Sequence, residues 1–248
     1  MVRALWLAAS LTLLASAIEI IEPVEVGAKP GFSGNIEGSG ELQQGNTDKQ
    51  SYQASLKGVW DDGQEAWLAI ASAARSWSRG VMDDDALFAH LRWLRPVGLT
   101  KDKTIEVFGQ YQSSRVKAIS SRDLVGANLR FRVSEGVDLA YLGAGVMEVY
   151  EEKSKEAAQW QARLNLYATL RHRIDEKFSL YAALYYQPCV DDVSDYDLIA
   201  EAKASYDISR SFSLAYKIRE SVDSTPAANK RRTDLSQLLS FSYKFGPS

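Results

Sequence analysis

The sequence predicts an all-β fold, a closed antiparallel transmembrane β-barrel of about twelve strands. Three observations predict it. Apolar and polar residues alternate with period two in segment after segment from Phe32 to Phe245. Tight turns alternate with mostly longer connections, and the chain opens on a stretch with the form of an export signal.

That opening, MVRALWLAASLTLLASA, has a basic residue at Arg3, an apolar run from Ala4 to Ala15 and an Ala15-Ser16-Ala17 end. These parts make a secretory signal peptide over residues 1–17. The alternative, an N-terminal membrane anchor, needs ~20 apolar residues, and the run is shorter than that. Residues 18–30, IEIIEPVEVGAKP, carry two prolines and three glutamates and read as an irregular lead-in to a barrel over 31–245.

The strands follow in order. In the first, Phe32, Gly34, Ile36, Gly38, Gly40 and Leu42 share one face, and Ser33, Asn35, Glu37, Ser39, Glu41 and Gln43 the other. The second sets Tyr52, Ala54, Leu56, Gly58 and Trp60 against Gln53, Ser55 and Lys57. The third, 65–77, is ambiguous, because Trp67 and Trp77 share a face with Arg75 while Leu68 and Ile70 share the other with Ser72 and Ser76. The fourth sets Leu87, Ala89, Leu91 and Trp93 against His90 and Arg92; a fifth runs over 104–112. The sixth sets Val125, Ala127, Leu129, Phe131 and Val133 against Asn128, Arg130 and Arg132, and a seventh spans 137–150. In the eighth, Trp160, Ala162, Leu164, Leu166, Ala168 and Leu170 oppose Gln159, Gln161, Arg163, Asn165, Thr169 and Arg171. The last four cover 177–188, 196–208, 211–221 and 233–245. Strand side chains point alternately to opposite faces, so each segment has one apolar and one wet face.

The breaks support a membrane barrel. Asp61-Asp62-Gly63, Ser134-Glu135-Gly136, Asp175-Glu176 and Ser209-Arg210-Ser211 are tight turns, whereas QGNTDKQ, SSRVKAISSR, EEKSKEA and DSTPAANKRR are mostly longer. Short turns on one rim and longer loops on the other suit such a barrel. Pro96–Lys103 is the exception, a long connection on the short-turn side. A secreted β-sandwich also alternates, but its buried face needs bulky packed side chains. Here the apolar face holds much Ala and Gly between aromatics near strand ends, including Trp60, Trp93, Trp160, Tyr186, Tyr206 and Tyr216. In hydrocarbon a sheet cannot leave backbone groups unpaired, so the last strand must close on the first. Its aromatics Phe241, Tyr243 and Phe245 then face lipid, and its serines and Lys244 face the lumen.

Composition excludes other classes. The chain has 248 residues, a net charge of −3 and a single cysteine, Cys189, so no internal disulfide or cysteine-based metal site forms. Scattered positive charge argues against nucleic acid as a partner.

Two stretches carry a family resemblance. One is GELQQGNTDKQ with its Gly45-Asn46-Thr47 turn. The other is YYQPCVDDVSDYDLIAEA, with Gln187, Pro188, Asp195 and Tyr196, followed by TDLSQLLSFSYKF with Asp234 and Phe245. From about Phe32 to Phe245 the chain resembles the salt-induced outer membrane proteins, a domain of unknown function known as DUF481. The resemblance implies a β-barrel in the outer membrane of a Gram-negative bacterium, and no activity. Outer-membrane barrels usually end on the aromatic residue that assembly machinery reads, whereas Gly246-Pro247-Ser248 follow Phe245 here.

The wet faces would line the lumen with Glu37, Glu41, Lys57, His90, Arg92, Glu106, Arg130, Arg132, Arg163, Arg171, Asp197, Glu201, Lys203, Lys217, Arg219 and Lys244. Two readings stay open. Such a wall can order ions in a narrow channel for ions or small hydrophilic solutes, with Arg92, Arg130, Arg132 and Arg163 biasing it toward anions. It can also pair with itself and fill the barrel, leaving a structural or envelope-stress role in contact with lipopolysaccharide. An enzyme is the weakest reading. His90 and His172 are the only histidines, and no His-Ser-acid or H-x-x-x-H spacing accompanies them. Asp83-Asp84-Asp85, Asp191-Asp192 and Asp195 suggest solvated acidic loops on the longer-loop rim, without a full calcium-loop pattern. The expected partners are lipid, lipopolysaccharide and the assembly machinery, for a monomer with no cofactor.

Overall fold

The computed structural model describes residues 20–43, 49–98, 102–134, 139–154 and 156–246. The signal segment, the Gly45-Asn46-Thr47 turn and the Glu41 side chain lie outside the described residues. Twelve strands follow one another: β1 (Gly31–Gln43), β2 (Lys49–Asp61), β3 (Ala66–Ser78), β4 (Val81–Val97), β5 (Lys103–Ser114) and β6 (Ile119–Arg132). Then come β7 (Leu139–Lys153), β8 (Gln159–Arg173), β9 (Phe178–Pro188), β10 (Tyr196–Asp207), β11 (Phe212–Asp223) and β12 (Thr233–Phe245). Each pairs antiparallel with its successor, and β12 pairs with β1, closing the barrel.

Closure pairs the two terminal strands with each other, as a sheet in hydrocarbon requires. The closing seam is the shortest ladder, running from Gly34–Phe245 to Gly38–Phe241. It is stapled on the outside by Phe245, which packs on Phe32 with ring centroids 5.9 Å apart and lies over Gly34. A Cβ at Gly34 would come within 2.7 Å of that ring. On the inside, Asn35 donates to Ser242 Oγ at 3.1 Å across the same seam.

The ambiguous third strand is settled by register. Trp67 and Arg75 point outward, while Leu68 and Ser76 are buried inside. Arg75 is tolerated there because Asp85 is directly opposite it on β4 and pairs with it at 3.1 Å. The pair lies near the strand ends, where an outward charge costs least.

The rims differ less in loop length than the sequence suggests. Most of SSRVKAISSR is strand, leaving only 115–118 between β5 and β6. Arg79 and Gly80, both at positive φ, make a two-residue turn between β3 and β4, so Asp83, Asp84 and Asp85 belong to β4 rather than a loop. Pro96 and Val97 extend β4, which shortens that connection as well. Long loops remain at 189–195 and 224–232. In the short turns exposed carboxylates hold the chain. Asp62 accepts from the backbone N–H groups of Glu65 and Gln64, which keeps its carboxyl below the usual range.

The lead-in is irregular, and it lies inside the barrel. Ile20 packs among Tyr167, Tyr181, Tyr185 and Ile199, and Ile21 among Val59, Leu68, Phe88 and Leu94. The segment is tied down where it crosses the first mouth, the one at which β1 begins. Arg130 donates to the Val24 carbonyl at 2.8 Å, Tyr185 to the Ile21 carbonyl at 3.2 Å, and Gly27 N–H to Asp61 at 2.8 Å.

Candidate functional site in the barrel lumen

The interior has two unlike walls. Along β4–β9 it is packed. Glu106 sits at its centre with no exposure, between Arg92 on β4 and Arg130 on β6, which are 3 % and 1 % exposed. Register makes this cluster, because Leu94 faces Glu106 from β4 and Asn128 faces it from β6. The carboxylate pairs with Arg92 at 3.3 Å and Arg130 at 3.1 Å, and accepts from Tyr167 at 2.7 Å and Asn128 at 3.3 Å. A relay extends it: Gln187 donates to Asn165 at 2.9 Å, and Asn165 to Asn128 at 3.2 Å. Beside it is a cavity of about 20 Å³ bounded by Arg92, Arg122, Asn165 and Gln187, room for one water.

Nearer the second mouth the ion pairs reach across the lumen. Arg122 on β6 holds Asp197 on β10 at 2.9 Å and Glu151 on β7 at 3.2 Å. Arg163 binds Asp195 at 2.6 Å, and Lys153 donates to the Thr225 carbonyl at 2.6 Å. Lys117, in the β5–β6 turn, pairs with Asp234 on β12 at 2.6 Å from the far side of the ring. At the first mouth, Arg132 pairs with Glu25 at 2.6 Å, Arg171 with Glu22 at 3.4 Å, and Lys203 with Glu22. Glu201 and Arg219 form a pair at 2.7 Å, and Lys244 pairs with Asp207 at the rim.

The other wall is wet. The inward residues Ser33, Asn35 and Glu37 of β1, Gln53, Ser55 and Lys57 of β2, and Ser72 of β3 keep solvent access, as do Lys217 and Ser236. Lys57 and Lys217 have no carboxylate within ion-pair distance among the described residues.

Thus Arg92, Arg130, Arg132 and Arg163, the residues expected to set anion preference, each sit against a carboxylate. His90 is buried between Phe88 and Phe108, bonded to Gln110 at 3.2 Å and Arg92 at 3.2 Å, and among the described residues no serine or acid bonds to it. His172 is exposed on the opposite face of the wall. Among the described residues no three His, Cys, Asp or Glu are grouped to hold a metal. Asp195 and Asp85 are engaged by arginines, and Asp192 accepts from Ser194. Cys189 is buried at the base of the β9–β10 loop. The wet-face pattern missed Arg122, which lies in a stretch read as loop. It also passed over Tyr167, which shares the parity of Arg163 and Asn165 and was the available signal. Nothing local marks Glu22 or Lys117, whose partners lie far away in sequence.

No curated protein matches the sequence. Among solved structures, an outer membrane channel from Pseudomonas putida F1 superposes with a TM-score of 0.53 at 11 % identity, covering 91 % of this chain and 100 % of that one. The NanC porin gives 0.51 at 10 % identity, covering 87 % and 100 %. At such identities the likeness is one of fold, a barrel of the kind found in outer-membrane porins. The family model described as "Protein of unknown function, DUF481" matches residues 36–245, and the chain belongs to that family.

Proposed function

We propose that the protein is a monomeric outer-membrane barrel through which small hydrophilic solutes pass along the wet wall of β1–β3 and β11. One observation carries the reading: inward Ser33, Asn35, Ser55, Lys57, Ser72 and Lys217 keep solvent access while the opposite wall is packed, although Ser51, Ser76, Ser213 and Ser221 on the same strands are buried. Outward residues fit a lipid setting, with Phe32, Trp60, Trp67, Trp160 and Tyr243 exposed near strand ends. The first mouth, holding both ends of the barrel sheet, would face the periplasm. Lipid and lipopolysaccharide would surround the wall, and assembly machinery would insert it. Boiled and unboiled membrane fractions should migrate differently on a gel. Recovery as a soluble periplasmic protein would end this reading.

Because the arginines are paired, selectivity should rest on Lys57 and Lys217, whose uncompensated charge raises the local anion concentration. Refolded protein in planar bilayers should give anion-preferring steps, and Lys57→Glu with Lys217→Glu should reverse the preference. Steps whose selectivity ignores both lysines would refute that assignment.

A filled structural barrel is the second reading. The packed wall and the Lys117–Asp234 pair spanning the second mouth favour it. Silence in the bilayer at all voltages would select it.

A further inference from the structure

The lead-in places a carboxylate on a row of cationic groups that has more to offer than one carboxylate uses. Arg171 on β8, Tyr181 on β9, Lys203 on β10 and Lys217 on β11 are lateral neighbours in the ladder and all face inward. Lys203 and Lys217 stand directly opposite each other, an unfavourable placement for like charges unless an anion lies against them. Lys203 also sits over the Tyr181 ring, 5.5 Å from its centroid. The anion present is Glu22, a residue of the lead-in rather than of the barrel wall. One oxygen lies 3.4 Å from Arg171 and the other meets Lys203. Donors remain. The Tyr181 hydroxyl is buried without a hydrogen-bond partner, and Lys217 has no acid within ion-pair distance among the described residues. The three cations exceed the single charge of Glu22.

We infer that this row is a binding site for a phosphate-bearing solute, which Glu22 occupies as a tethered stand-in when the lead-in is seated. A phosphate monoester carries about −1.5 to −2 charges and three acceptor oxygens, which suit two lysines, a guanidinium and a phenol better than one carboxylate does. A solute must displace Glu22 to bind, so the lead-in acts as a competitor held at high local concentration. The inference gives the proposed channel a substrate class and rests on it for physiological meaning, although the site itself can be tested without transport.

The probe is inorganic phosphate, titrated by calorimetry into refolded full-length protein at fixed ionic strength. Glu22→Gln should bind phosphate at least about tenfold more tightly than the parent, because the tethered competitor is gone. Adding Lys203→Gln to Glu22→Gln should remove that binding, and acetate should compete poorly. Heat-modifiable migration confirms that each variant folds. Equal phosphate affinity with and without Glu22→Gln, or binding that survives Lys203→Gln, overturns the site. Bilayer recordings on the same samples separate the two claims. Phosphate binding in a silent barrel upholds the site and removes the channel, whereas conductance without phosphate binding removes the site and leaves the channel.

Discussion

Glu106→Leu is expected to lower the unfolding free energy of the barrel by about 3–5 kcal/mol, the usual cost of leaving a buried charge without its partner. Two guanidiniums depend on this carboxylate, and both are nearly inaccessible to water. Each keeps some support: Arg130 lies 4.4 Å from the Tyr141 ring centroid and reaches the Val24 carbonyl, and Arg92 lies 5.3 Å from the Phe108 ring centroid. Neither aromatic face nor carbonyl neutralises a full charge. Tyr167 and Asn128 would also lose their shared acceptor. Urea titration of the refolded protein, followed through the five tryptophans of its barrel, Trp60, Trp67, Trp77, Trp93 and Trp160, measures the change. Glu37→Gln is the control, since Glu37 lies on the wet wall and solvent can replace its contacts. Equal midpoints for the two variants would show that the central cluster does not hold the packed wall together.

Phe245→Ser should cut membrane insertion several-fold, with Lys244→Ser close to wild type. The seam between β1 and β12 is the shortest in the barrel, so contacts outside the ladder matter most there. Phe245 supplies the main one, covering Gly34 and packing on Phe32. Losing this partly buried phenyl group forfeits part of the about 1.5–3 kcal/mol that full burial of such a side chain contributes. Lys244 points inward at the rim and is half-exposed in its pair with Asp207, a geometry that contributes little. Quantifying heat-modifiable protein in membranes from matched cultures compares them. Indistinguishable yields would contradict this account of the closing strand.

The sequence by itself determined the strands, their alternation and the closed barrel, because side-chain parity is a local property of extended backbone. In β8, Arg163, Asn165 and Thr169 alternate with Leu164, Leu166 and Ala168, so the two faces can be read without knowing any neighbour. Closure followed from the need to satisfy every backbone group in hydrocarbon. Parity does not say what an inward residue meets. That depends on register accumulated around the ring, which brings Glu106 between Arg92 and Arg130, Arg122 to Asp197, and Lys117 to Asp234 across the barrel. Register also decided β3, by setting Asp85 opposite the outward Arg75. The lead-in was the least legible part. Its isoleucines and glutamates have no period to read, and they acquire a place only once the closed wall provides an apolar pocket for Ile21 and a cationic row for Glu22.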